Sequence, residues 1–233
     1  MVRITKEYDE RLTEFLDTAQ QLFFEKGYER TSVNDIIGKI GVAKGTFYHY
    51  FKTKSDLLDK LVQRFAERMK SEITNLVERT DLNAIEKLNG IFALGRTIKA
   101  ENIELMKLLL KVLYNDNNLM LRHRIIRSKI KITTPEFVKI LKQGNEEGSF
   151  NVDDSWEIAE LIYLLGAHLN EIVGELILKA TDDPETIDEI NRKIKAYEWS
   201  VEKILGIAPG SITVADREYI KLFQVESNNK KGG

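Results

Sequence analysis

Turn residues are scarce in this sequence: three prolines and fourteen glycines punctuate 233 residues. An all-β chain of that length needs many more, so the scarcity predicts an all-α fold. The apolar spacing agrees. Leu12, Phe15, Leu16, Ala19, Leu22 and Phe23 recur at steps that place them on one helical stripe. Gly27 closes that helix. Ser32 with Asp35 reads as a capping-box variant that opens a short second helix with Ile36, Ile37 and Ile40 on its apolar face. Gly41 stops it, Val42-Ala43-Lys44 turn, and Gly45–Phe51 form a third short segment. Thr53 with Asp56 is a second capping box. It opens a long helix from Lys54 to about Arg79, with Leu57, Leu58, Leu61, Phe65, Met69, Ile73 and Leu76 as its stripe.

The remainder predicts helices with short joints, over Leu82–Lys99, Asn102–Tyr114 and Asn117–Gln143. Residues 144–149 are a loop, and Asp153-Asp154-Ser155 start a helix that runs to Lys179. Asp182-Asp183-Pro184 start another that ends at Gly206, with proline at a first-turn position where its missing N–H is harmless. Residues 227–233 read as a disordered tail.

Hydrophobic residues make up 42% of the chain and charged residues 31%, the balance of a globular protein. The absence of cysteine removes disulfides, zinc clusters, iron–sulfur sites and thiol nucleophiles together. His49, His123 and His168 lie on separate predicted helices, without metal-ligand spacing. There is no glycine-rich phosphate loop, and the paired acids sit at helix starts, where capping explains them. No metal, cofactor or enzymatic activity is expected. The start lacks a signal-peptide core and no stretch approaches a membrane span, so the expectation is a cytoplasmic protein without a membrane partner.

Charge is unevenly spread. Residues 26–54 carry six basic residues against two acids, while residues 147–205 carry fourteen acids against five bases. A basic segment on an acidic chain points to a polyanion site. The short helices around Gly41 have helix-turn-helix spacing. For the second to project, Ile36, Ile37, Ile40 and Val42 must pack under Phe47 and Phe51. Lys44, Thr46, Tyr48, His49 and Tyr50 are then left outside, as donors and flat rings suited to a major groove. Thr31 and Lys54 fall at helix starts, which favour phosphate. The basic run Arg122–Lys131 reads as a solvated face, an anionic-effector wall or a second polyanion contact.

Phe23–Tyr28, Thr31–Ile36 and Gly41–Leu58 together resemble the N-terminal domain of TetR/AcrR-type transcriptional regulators, over roughly residues 8–60. The resemblance implies a homodimeric repressor of a near-palindromic double-stranded DNA operator, released by a small-molecule effector. By position, Lys44, Gly45, Thr46, Tyr48, His49 and Tyr50 would face DNA, and Thr31 and Lys54 would hold phosphates. It divides the chain into a helix-turn-helix domain at 1–53, an effector and dimerisation domain at 54–206 with a connecting helix at 54–79, and a C-terminal extension at 207–233. The alternative is an effector-independent or architectural DNA-binding helical protein.

The helix near Trp156–Leu178 is apolar nearly all round and must be covered on more than one side. Gly166, Asn170 and Gly174 recur every fourth residue, and Ile187, Ile190, Ile194, Tyr197, Val201 and Ile204 follow a packing seam. Both sets are candidates for a four-helix dimer interface. Phe92, Arg96, Met106, Tyr114, Phe137, Tyr163 and His168 are candidate effector contacts, suited to an apolar, neutral or anionic ligand.

Overall fold

A computed structural model of the chain describes residues 2–114, 119–179 and 184–223. Its regular elements are helices, in keeping with the shortage of turn residues. The expected helix starts at Asn117 and Asp182-Asp183, and the tail, lie outside the described residues.

Helix α1 (Val2–Lys26) ends at Gly27, whose φ of 84° lies in the left-handed region. Helix α2 (Val33–Ile40) opens with the full capping box of Ser32 and Asp35 and closes at Gly41, φ 79°. Helix α3 (Lys44–Tyr50) follows after the turn, and then α4 (Lys54–Val77). At the start of α4, Thr53 Oγ1 accepts the Asp56 N–H at 3.0 Å, but the Asp56 carboxylate accepts from Lys52 N, one residue earlier than a capping box requires. Next come α5 (Ala84–Glu101), α6 (Ile103–Leu113), α7 (Leu119–Glu146), α8 (Ser155–Lys179), α9 (Pro184–Leu205) and the short α10 (Arg217–Lys221).

The chain forms two compact units. One comprises Met1–Phe65 with Glu104–Ile125, the other Ala66–Ile103 with Ile126–Gly233. Helices α4 and α7 each contribute to both. The first unit is built around Phe15, Phe23, Ile36, Phe47, Phe51, Leu57, Leu58 and Leu61, all buried. The second has a core of Ile73, Leu88, Phe137, Ile140, Leu141, Ile162, Val201, Leu205 and Ile212.

Two polar devices in the second unit have no sequence signature. Lys87 is buried and donates to Val77 O and to Gln143 Oε1, each at 2.7 Å, which ties the end of α4 to α5 and α7. The middle of the irregular segment 211–216 is held by side chains. Asn89 donates to Ser211 O and accepts from Thr213 N. The buried Glu202 and Glu198 accept from Ile212 N and Val214 N.

Helix α9 buries most of its candidate interface residues within the chain. Ile187, Ile190, Ile194 and Val201 are buried within the chain, and Tyr197 and Ile204 pack against its core. Gly166 faces the Tyr197 ring of the same chain, and the Tyr197 hydroxyl donates to Ile162 O at 3.3 Å. Gly174 is buried too; Asn170 stays outside. The seam and the small-residue face are therefore largely α8–α9 packing inside one protomer. What remains uncovered is a different face: Trp156, Leu161, Leu164 and Leu165 on α8, and Trp199 on α9. Helix α8 is also long and apolar enough, by length and composition, to cross a membrane, against the sequence expectation.

Candidate nucleic-acid interface

Helix α3 is only seven residues long, too short to be stable by itself, so its direction is set by what it buries. Phe47 is fully buried and meets Phe15 edge-on at 5.8 Å, and Phe51 meets the same ring at 5.6 Å. The opposite face is outside. Lys44, Gly45 and His49 are exposed, Tyr48 is 52% exposed, and Thr46 is half-buried. The Lys44 ammonium lies 6.0 Å from the Tyr48 ring centre. This face offers a cation, a hydroxyl, an imidazole and a phenol on a rod narrow enough for a major groove.

Tyr50 departs from that face. Its ring stacks on Tyr8 of α1 at 4.6 Å and leans on Phe15 at 5.4 Å, so its flat surfaces are occupied within the protein. A pattern read along α3 alone could not register Tyr8, 42 positions upstream.

The two expected phosphate contacts are also occupied. Thr31 is fully buried, and its hydroxyl donates towards Gly27 O at 2.8 Å and Leu22 O at 3.2 Å. Lys54 Nζ lies 2.7 Å from Tyr28 O, 3.0 Å from Thr31 O and 3.4 Å from Glu29 O. Burial lowers the Lys54 pKa, opposed by the Glu29 charge. Asp35, at the start of α2, is held well below the usual carboxylate range, first by the Ser32 hydroxyl and then by Lys26.

The effector candidates are divided between the two units. Met106 and Tyr114 belong to the first unit; Phe92, Arg96, Phe137, Tyr163 and His168 belong to the second. His168 is exposed, with 70% of its side chain open to solvent, and does not line an interior site. Arg96 donates to Thr213 O and Val214 O. Phe137 and Tyr163 meet edge-to-face at 5.4 Å in the core, where burial pushes the Tyr163 phenol up to about 12. In the basic run, Arg124 pairs with Asp59 at 2.8 Å, which leaves less net charge there than the sequence suggests.

The family model for bacterial regulatory proteins of the tetR family matches residues 15–61, the span that contains α2, α3 and the start of α4. The transcriptional repressor KstR2 of Mycobacterium tuberculosis is 30% identical over 158 residues, covering 66% of this chain and 76% of the relative. The chain belongs to the TetR family. A crystal structure of a putative TetR-family regulator from Syntrophomonas wolfei superposes with a TM-score of 0.59 at 24% identity, over 82% of this chain and 96% of that one. Another, from Pectobacterium atrosepticum, gives 0.61 at 17% identity, over 88% and 98%. This TetR-family chain is thus a DNA-binding helix-turn-helix transcriptional regulator of the repressor type. The relatives KstR2 and DhaR are both named as helix-turn-helix-type transcriptional repressors.

Proposed function

We propose that the protein is a cytoplasmic homodimeric repressor that binds a near-palindromic operator and is released by a small-molecule effector. The outward face of α3 carries the reading. Four residues able to donate hydrogen bonds, Lys44, Thr46, Tyr48 and His49, project from a helix anchored by Phe47, with Gly45 allowing close approach of the backbone. A second copy of α3 is supplied by the dimer, so half-sites fall about one helical turn apart, roughly 34–36 Å, or a small multiple of it.

The dimer is assigned to the uncovered faces of α8 and α9. Trp156, Leu161, Leu164, Leu165 and Trp199 have only the two indole N–H groups of Trp156 and Trp199 as polar groups among them. These leucines are already about half covered, so burying the remainder of one is worth about 1 kcal/mol, and a two-fold contact buries each residue on both protomers.

Helix α4 is continuous from Lys54 to Val77 and contributes to both units, so it is the element assigned to carry effector binding to the DNA site. Hundredfold release needs about 2.7 kcal/mol of coupling. Selection from random duplexes tests the core of the proposal: enrichment of a palindrome bound by two chains is expected, and equal affinity for selected and random duplexes overturns it. By linkage, an effector must bind the operator complex less tightly by the factor with which it weakens the operator. Equal effector affinity with and without saturating operator favours the effector-independent reading.

A further inference from the structure

A lysine ammonium has three N–H donors, and at the start of α4 all three have partners inside the protein. Lys54 turns back from the helix toward the connection between α1 and α2, where the carbonyls of Tyr28, Glu29 and Thr31 converge on its Nζ at 2.7, 3.4 and 3.0 Å. The face of the Tyr28 ring lies 4.2 Å from the same nitrogen, and that ring is buried edge-on against Phe23 at 5.1 Å. The connection is anchored from the other side as well. Gly27 ends α1 with a positive φ, and the Thr31 hydroxyl points back to Gly27 O and Leu22 O. Immediately after Thr31 comes Ser32, the residue that caps α2.

The connection therefore decides where α2 starts, and α2 packs on α3. Its carbonyls lie outside helical ladders; the bonds to Tyr28 O and Thr31 O are part-buried, where an unmatched acceptor is costly, and the one to Glu29 O lies at the surface. Lys54 is the charged group that matches three of them at once. Directing Nζ to a DNA phosphate would strip these bonds and remove the cation from the Tyr28 ring. We propose that Lys54 is a positioning residue for operator recognition: its ammonium gathers the Tyr28, Glu29 and Thr31 carbonyls and holds the start of α2, and it makes no phosphate contact. It also links α4 directly to the segment that enters the helix-turn-helix.

Salt dependence separates the two roles, because each lost phosphate contact lowers the log–log salt slope by about one while a positioning defect leaves it unchanged. The full-length chain, Lys54→Met and Lys54→Arg are titrated with the selected palindromic duplex across a salt series, with the folded fraction measured by circular dichroism. Lys54→Met is expected to lose about tenfold in affinity at every salt concentration with the slope retained. Lys54→Arg, which keeps charged donors, recovers part of the loss. A slope reduced by about one per half-site overturns the proposal in favour of a phosphate ligand. Unchanged affinity of folded Lys54→Met overturns it in favour of a role in stability alone. Should Lys54→Met not fold, the wild-type chain decides by nitrogen-15 NMR of its lysine ammonium groups. The Lys54 signal is expected to keep its shift and slow exchange when duplex is added, and coupling to a phosphorus nucleus overturns the proposal.

Discussion

Helices α3 and α8 both present large side chains to solvent, and the chemistry of those side chains separates their partners. On α3 the outward residues are Lys44, Thr46, Tyr48 and His49, each with a group that can donate a hydrogen bond. On α8 they are Trp156, Leu161, Leu164 and Leu165, which offer surface area and almost no polar groups. The inner faces differ in scale. Helix α3 is anchored by one fully buried ring, Phe47, whereas α8 buries Ala159, Ile162 and Ile177 and packs along α9. An exposed polar face on a short, well-anchored helix can meet a hydrated polyanion. An exposed apolar face gains by leaving water, and in the dimer proposed above a second identical face would cover it.

The sharpest way to break this comparison lies on the buried side of α9. Ile194→Asp places a charge at a position only 4% exposed. Burying it without a partner costs several kcal/mol, against a total stability of about 5–15 kcal/mol. Thermal denaturation should show a chain largely unfolded or melting far below wild type; a stable, folded monomer would show that α9 serves a subunit interface after all. Leu164→Asp on the open face of α8 tests the other half. Sedimentation equilibrium should show a folded monomer with operator affinity reduced at least hundredfold, since two α3 helices no longer bind together. A wild-type dimer would move the interface elsewhere.

On the polar side of the comparison the effects are smaller. Thr46→Ala or His49→Ala should cost roughly 1–3 kcal/mol per half-site and relax base preference at the positions they face, measured by titrating variant duplexes. A uniform loss across all sequences would reassign them to the DNA backbone. The smallest effect comes from the cap beneath α3. The folded Asp35 pKa lies below its unfolded value of about 3.9, so its contribution is complete above that pH and fades as pH falls through the folded value. Between about pH 5 and pH 3, Asp35→Asn should therefore flatten the acid loss of stability relative to wild type, followed by denaturant midpoints. Parallel curves would show that the Ser32–Asp35 box adds no pH dependence.

The first unit was legible because its contacts are short in sequence. The steps from Phe15 to Phe23, the Ser32–Asp35 box, Gly41 and the Phe47–Phe51 pair are local patterns, and each specifies a helix, a stop or a buried face through neighbours a few residues away. Residue type on α3 also announced a polar partner. The partners of Tyr50 and Lys54 within the protein were not legible for the same physical reason in reverse: Tyr8 and the carbonyls of residues 28–31 are remote in the chain.

In the second unit, periodicity determined that α8 and α9 exist and that each has an apolar stripe, and it could not say which stripe meets which. A stripe looks alike whether it is covered by the same chain or by another copy, because burial depends on area and not on the identity of the cover. Only the tertiary structure placed Ile187, Ile190 and Ile194 inside the protomer and left Leu161, Leu164 and Leu165 outside. The hold of Asn89, Glu198 and Glu202 on residues 211–214 was likewise invisible, since a side chain that binds a distant backbone leaves no spacing to read. The sequence by itself determined the helices and the chemistry of the outward α3 surface, which rest on local backbone preferences and residue type. The partners of each remaining face were decided by three-dimensional packing, in which residues far apart in the chain compete for the same surface.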